Sequence, residues 1–339
     1  MAHQIHVRST GRTIVVKEGE TILSAALDAG IAYPHGCRSG RCGSCKSRLV
    51  RGEVDLLPHT PFSLTEKERQ EGLVLACRAQ PKSSCEILWL HGDAEAVEHP
   101  RRNLQTRIVE ISDAAHDIKR VRLAIEDGQA FAFSAGQYAR LTFPGAPTRD
   151  YSMANSPDKT ILEFHIRRVP SGATSEHVAS SAKVGDMVRV EGPFGSSYLR
   201  ERHNGPIVCV AGGSGLAPIK SIVETALAAG LKQPIRVYFG ARSERDLYLL
   251  DRFAVLEVDH PNLTFIPVLS APLGPTQRRV GNVSEALAQD LADCDGWKAY
   301  VAGPPVMVEA VGAVLAERGL GAGDLHADIF FTPELAPAA

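Results

Sequence analysis

The 339-residue chain lacks an excess of charge of either sign: 37 Lys+Arg against 39 Asp+Glu leave a net charge of −2. That balance gives no reason to expect a nucleic acid or a membrane surface as partner. No apolar run reaches the roughly 18 residues of a membrane span. The opening residues, MAHQIHVRST, lack the apolar core of a secretory signal. A cytoplasmic location is expected, and seven reduced cysteines suit it. No internal repeat or low-complexity tract stands out. What is present is ordinary for a soluble globular protein, 44% hydrophobic and 22% charged, and long enough for two or three domains of roughly 100–200 residues.

Four cysteines stand apart. Cys37, Cys42 and Cys45 fall in PHGCRSGRCGSC and Cys77 in LACRA, giving C-x4-C-x2-C and a distant fourth. This is the plant-type ligand spacing of a [2Fe–2S] cluster. Three thiolates curl round one side and the fourth closes the other. Gly36, Gly40 and Gly43 supply the positive φ angles such a curl needs and leave backbone N–H groups free to point at sulfur. A structural zinc site would favour a second C-x2-C, which is missing; disulfides would need an oxidising compartment. Cys85, Cys209 and Cys294 have no partner spacing and read as small core residues. The first 98 residues hold 12 cations and 12 acids, so this part lacks the acidity by which free ferredoxins steer to partners. A covalent tether to its main partner would replace that steering with effective concentration.

Patterning divides the chain into residues 1–94, a small α+β unit; a polar linker at 95–103; residues 104–203; and residues 204–339. In the first, Ile5/Val7 and Ile14/Val16 alternate around a turn at Ser9–Arg12, TILSAALDA reads as a helix stopped by Gly30, and strands are expected at Lys46–Val50, Leu73–Cys77 and Cys85–Leu90. Residues 104–203 show short alternating strands punctuated by Gly and Pro, expected to form an antiparallel β-barrel. From residue 205, strand runs at 207–211, 235–239, 264–269 and 298–302 alternate with helices at 218–229, near 246–258, 283–292 and 306–318, the pattern of an α/β parallel sheet that binds nucleotides at its strand ends.

Two motifs follow the cysteines. RDYSMANSP holds Arg149, Tyr151 and Ser152, and HIRRVPSGATS holds His165, Arg167, Gly172 and Ser175. R-x-Y-S followed by G-x-x-S at a helix start resembles the flavin signature of the ferredoxin–NADP reductase superfamily. By that resemblance Arg149 contacts the flavin pyrophosphate, Tyr151 packs on the isoalloxazine, and Ser152 hydrogen-bonds near N5. Ser175 opens a helix whose N-terminus holds the same pyrophosphate, with His165 and Arg167 on the strand alongside. The alternative is a strand with a buried Tyr. VAGGSGLAPIKS then offers Gly212, Gly213, Ser214 and Gly215 between strand and helix. The last glycine of G-x-G-x-x-G is absent, with Pro218 in its place, and the loop is instead similar to the G-G-T/S-G-x-A-P loop of the same superfamily. Gly240 and Arg242 follow at a second strand end, and Gly303, Pro304 and Pro305 at a third. The cysteine that often precedes that Gly-Pro is Ala302 here, so no catalytic cysteine is assigned. In the closing HADIFF, Phe330 resembles the aromatic that covers the flavin where nicotinamide must dock; a core Phe is the alternative.

Taken together, a β-grasp ferredoxin, a flavin barrel and a nucleotide domain in this order resemble the reductase components of bacterial aromatic-ring-hydroxylating dioxygenases of the benzoate, naphthalene, carbazole and terephthalate types. The resemblance implies FAD, with FMN as alternative, NADH, and a Rieske-type terminal oxygenase as acceptor, for a chain acting as a monomer. A plant-type cluster near about −400 mV would deliver electrons downhill to a Rieske centre at about −150 mV or above. Ser270-Ala271-Pro272 stands where NADPH-dependent relatives carry Ser-Arg, which favours NADH, although Arg242 and Arg245 offer cations for a 2′-phosphate. The same layout serves diiron monooxygenases and a CDP-deoxysugar dehydrase; a sensor module or a structural zinc site are readings of other classes.

Overall fold

The computed structural model describes the chain except residues 1, 32, 36, 37, 62, 91–96, 98, 127, 129, 322 and 332–339. Residues 1–96 form one compact unit and residues 97–336 a second.

In the first unit, β1 (His3–Val7) and β2 (Arg12–Val16) pair as the expected hairpin, Ile5 opposite Ile14. Their alternation buries Ile5, Val7, Ile14 and Val16. α1 (Ile22–Asp28) starts where Thr21 accepts the Ser24 N–H and stops before Gly30, whose φ is +69°. β3 (Lys46–Arg51), β4 (Val54–Leu56), α2 (Glu66–Gln70), β5 (Leu73–Leu75), β6 (Ala79–Pro81) and β7 (Cys85–Trp89) follow. The main sheet is mixed, in the order β2-β1-β7-β3-β5 with β1 and β7 parallel, and β4 pairs with β6 separately. Sequence patterning misses α2, β4 and β6: elements of three to five residues are too short to display a period.

The second unit opens with an antiparallel barrel: β8 (Arg102–Ala115), β9 (Ile118–Ile125), β10 (Tyr138–Thr142), β11 (Arg149–Ser152), β12 (Ile161–Arg167), α3 (Ala173–Ser180) and β13 (Met187–Phe194). Its order is β11-β10-β13-β8-β9-β12, and a bridge between Met153 and Phe164 joins the two ends. The segment read as a linker is only partly one. Arg102 and Asn103 already belong to β8, paired with Gly192 and Glu191. Upstream, the Val97 N–H donates to the Tyr198 hydroxyl at 3.2 Å, and the His99 ring bonds Ser134 at 2.9 Å; residues 91–96 and 98 lie outside the described residues.

The remainder is the expected α/β domain. β14 (Ile207–Gly212) leads through a 3-10 turn at Gly213–Gly215 into α4 (Leu216–Ala228). Then come β15 (Ile235–Ala241), a 3-10 turn at Glu244–Asp246, α5 (Leu250–Asp259), β16 (Leu263–Leu269), β17 (Arg279–Val280), α6 (Val283–Asp290), β18 (Lys298–Gly303), α7 (Pro305–Glu317) and β19 (Leu325–Ile329). All six strands are parallel, in the order β17-β16-β15-β14-β18-β19. The helix expected from 246 begins only at Leu250, because Ser243 and Asp246 close a capping box and Leu249 turns left-handed at φ +60°. Barrel and sheet share a core, in which Ile118, Ala135 and Leu199 pack with Ile207, Cys209, Leu216 and Ile219. Among the described residues, no helix is long and apolar enough to cross a membrane.

Candidate functional site

Cys42, Cys45 and Cys77 converge in the first unit, and Cys37 lies outside the described residues. The Cys77 N–H points at the Cys45 sulfur, 3.5 Å away. The bond to Cys77, burial, and the nearness of Cys77 and Cys42 push the Cys45 thiol well up. Thiolates this crowded repel one another unless a polycation binds them, so the donor set fits an iron cluster. Gly40 holds the curl with φ +72°, where a Cβ would fall 2.7 Å from Arg78 Cγ and 2.9 Å from His59 Cβ. Its carbonyl accepts from the Thr60 N–H at 3.0 Å and from the Ser63 hydroxyl at 2.7 Å. This support from Thr60 and Ser63 has no motif in the sequence. Cys85, Cys209 and Cys294 are buried, as their isolation suggested.

In the barrel, β11 presents Arg149 outward, Tyr151 half-buried and Ser152 at 7% exposure. Burial raises the Tyr151 phenol to about 12. The Ser152 hydroxyl donates to Asp328 Oδ2 at 2.6 Å, and burial lifts that carboxyl to about 6. Asp328 lies in HADIFF two residues before Phe330, and its only sequence signal is an acid inside a short strand. Gly172 caps α3; a Cβ there would lie 2.7 Å from Ser175 Oγ and 2.9 Å from the Val169 carbonyl. Ser175 lies in the first turn of α3, as the motif implies, and its hydroxyl closes the turn, accepting from the Val169 N–H at 3.0 Å and donating to the Gly172 carbonyl at 3.1 Å. What remains for an anion is the backbone N–H groups that open α3. The His165 ring is likewise committed, between Glu163 at 3.0 Å and the Tyr248 hydroxyl at 3.2 Å.

Arg167, with Gly212, Gly213, Gly240, Arg242 and Pro304, lines a cleft of about 300 Å³ at the carboxyl ends of the parallel strands. Its Nε donates to Asp117 at 2.7 Å. Asp117, Asp246 and Asn282 also line the cleft and were not foreseen. Asn282 had a readable signal, a capping box with Glu285; Asp117 is a hairpin-turn residue with none. His116 Nε2 reaches Asp246 at 2.8 Å, and although burial opposes it, the bonds from Ser243 and His116 hold that carboxyl at about 2. The glycine loop and the Gly-Pro loop abut: a Cβ on Gly215 would stand 2.1 Å from the Ala302 carbonyl, and one on Gly212 2.7 Å from Met307 Sδ. Ser214 is half-buried in the intervening turn, and Gly303 and Pro305 flank Pro304 at the start of α7. Phe330 follows β19, donating its N–H to the Gly303 carbonyl at 2.9 Å, and its side chain is half-buried rather than in the core.

Comparison with known proteins identifies each part. Residues 5–82 match the 2Fe-2S iron-sulfur cluster binding domain, residues 105–198 the oxidoreductase FAD-binding domain and residues 209–312 the oxidoreductase NAD-binding domain. The chain is 38% identical over 331 residues to the ferredoxin–NAD(P)+ reductase component of the naphthalene 1,2-dioxygenase system of Pseudomonas putida, covering 97% of this chain and 98% of the relative. The chain belongs to this family of iron–sulfur flavoprotein reductases. To the phenol hydroxylase P5 protein of Acinetobacter pittii (strain PHEA-2) the reductase is 36% identical over 338 residues, covering 98% of this chain and 95% of the relative. A solved cytochrome P450 reductase from Amycolatopsis superposes with a TM-score of 0.76 at 37% identity, over 97% of the reductase and 98% of that chain.

Proposed function

We propose that the protein draws hydride from NADH and delivers single electrons to the Rieske-type terminal oxygenase of an aromatic-ring-hydroxylating dioxygenase. In this reading residues 1–94 hold the cluster, 102–203 hold FAD and 204–339 hold NADH, in a cytoplasmic monomer. When bound, the flavin takes the hydride and the cluster passes electrons on one at a time. The observation that carries the reading is the bond between Ser152 and Asp328. It brings the flavin motif on β11 against the last strand of the nucleotide sheet, so two motifs distant in sequence bound one site.

Each residue then has a task. Cys37, Cys42, Cys45 and Cys77 ligate the cluster. Arg149 and the backbone opening α3 at Gly172 hold the flavin pyrophosphate; Tyr151 packs on the ring, and Ser152 bonds near its N5. Gly212, Gly213, Ser214 and Gly215 admit the NADH pyrophosphate, with Arg242 and Arg167 neutralising it. Gly240, Gly303, Pro304 and Pro305 bound the cleft, and Phe330 covers the flavin until nicotinamide displaces it. No proton donor is required, because orientation carries hydride transfer. Ser270 lines the cleft where NADPH enzymes of the superfamily place Ser-Arg, and Asp117 and Asp246 add negative charge that opposes a 2′-phosphate.

A dioxygenase acceptor is supported by the naphthalene relative, whose name also points to a second reading, in which electrons pass first to a separate ferredoxin. The phenol hydroxylase relative keeps a diiron monooxygenase open as the alternative, and a CDP-deoxysugar dehydrase shares the layout. The deciding experiment is anaerobic titration with NADH and NADPH in parallel, then mixing with a purified Rieske oxygenase with and without a ferredoxin. About three electrons per chain, two on flavin and one on the cluster, with NADH preferred, is the expected uptake. Uptake of two without cluster bleaching would reduce the protein to a flavin reductase.

A further inference from the structure

Hydride transfer requires nicotinamide and flavin to meet at roughly 3–3.5 Å between reacting atoms. In this reading the two rings are carried by different substructures, the flavin by the barrel and the nucleotide by the loop that opens α4. Something must fix those substructures against each other. The shared apolar core does so only loosely, because apolar packing is non-directional.

We propose that Lys220 is a positioning residue that fixes the hydride-transfer distance by bolting α4 to the barrel beside the flavin motif. Lys220 lies in the first turns of α4, just after the glycine loop, with a side chain only 11% exposed. Its Nζ donates to the Ala154 carbonyl at 2.9 Å, two residues beyond Ser152. The same ammonium lies 3.4 Å from Glu163 of β12 and 3.2 Å from Glu224 of α4. Next to it, the buried Ser221 hydroxyl donates to the Asn155 carbonyl at 2.7 Å. Ala154 and Asn155 are themselves pinned to β12, through the Ala154 N–H to the Glu163 carbonyl at 2.7 Å and the Glu163 N–H to Asn155 Oδ1 at 2.8 Å.

Glu163 is the hub of a second arm. Burial opposes its charge, but the His165 bond and the Lys220 charge outweigh burial and hold its carboxyl at about 2. As an acceptor it takes the His165 Nε2 proton, so Nδ1 accepts from Tyr248. The single Tyr248 hydroxyl proton is shared between that nitrogen at 3.2 Å and the Gly213 carbonyl at 3.5 Å. Both ends of the segment from the glycine loop to α4 therefore meet β12 through the same carboxylate. Directional bonds in a dry joint resist the sub-ångström slippage that apolar packing permits.

The proposal rests on the reading of the protein as an NADH:flavin reductase, and the test separates the two. Full-length, cofactor-loaded protein is mixed anaerobically with NADH in a stopped-flow instrument. The saturation curve gives Kd, flavin bleaching gives the limiting rate, and long-wavelength charge-transfer absorbance reports ring stacking. No bleaching in the wild type would overturn the functional reading itself. If the wild type reacts, Lys220→Met is expected to lower the limiting rate by about 10- to 100-fold and to weaken the charge-transfer band. Flavin content should stay unchanged and Kd should move less than about threefold. Lys220→Arg, which keeps charge and reach, should recover most of the rate. An unchanged limiting rate in flavin-loaded Lys220→Met overturns the proposal, as does a loss that Lys220→Arg fails to restore. Should Lys220→Met not fold, Ser221→Ala removes one bond of the same joint, and the same split between rate and Kd decides.

Discussion

Asp328 is a carboxyl that the fold keeps against its preference. Burial raises it from the ordinary carboxylate range to about 6, the Ser152 hydroxyl offsetting only part of the cost. A raised folded-state value means that stability is full below about pH 4, where the unfolded chain titrates, and is lost as pH rises through 6. The difference of about two units corresponds to up to about 3 kcal/mol. Asp328→Asn should therefore match the wild type near pH 3.5 and melt increasingly later than it between about pH 4 and 6, with the gap levelling off above about pH 7; a melting-temperature gap that ignores pH would contradict this. Gly215 is constrained by space instead. Any Cβ would overlap the Ala302 carbonyl, so Gly215→Ala should cost about 1–3 kcal/mol of stability and weaken NADH binding. Cluster absorbance should be untouched. Chemical denaturation and nucleotide titration of one preparation check both halves.

Strand ends and helix starts make the cleft, and their place in it was readable wherever the motif was contiguous. The glycine loop at the end of β14, Gly240 and Arg242 at the end of β15 and the Gly-Pro pair at the end of β18 each lie within a few residues of sequence, and all line or border the cleft. The C-x4-C-x2-C part of the cysteine pattern was legible for the same reason. What escaped is contact across the chain: Ser152 and Asp328 are 176 positions apart, and Asp117 meets Arg167 across β-strand pairing that no local pattern encodes. Ser175 shows the converse, a motif residue whose hydroxyl serves its own turn. Arg242, at the end of β15, is exposed and makes no ion pair among the described residues. A charge-assisted bond to phosphate is worth about 1.5–3 kcal/mol, so Arg242→Ala should raise the Kd for NADH by about tenfold or more while leaving the limiting rate of flavin bleaching nearly intact. An unmoved Kd would take Arg242 off the phosphates.

The cluster-binding domain lies in the first unit, and the flavin- and nucleotide-binding domains in the second. The first has its own buried core, built from residues such as Ile5, Ile22, Leu75 and Ile87, while the second holds the barrel core and the core it shares with the nucleotide sheet. A chain beginning at Val97 should therefore fold and reduce ferricyanide with NADH at near the wild-type rate, yet fail to support the oxygenase; loss of ferricyanide reduction would mean that the first unit is needed for more than passing electrons on.

The shared core has a further consequence. Ile118, Ala135 and Leu199 belong to the barrel by sequence but pack into the nucleotide domain, so three functional modules make two cooperative units. Scanning calorimetry should show two transitions, not three. The same division separates what can be exchanged: the first unit carries its own core and is a self-contained cartridge, whereas the barrel and nucleotide halves complete each other's core and fold as one piece.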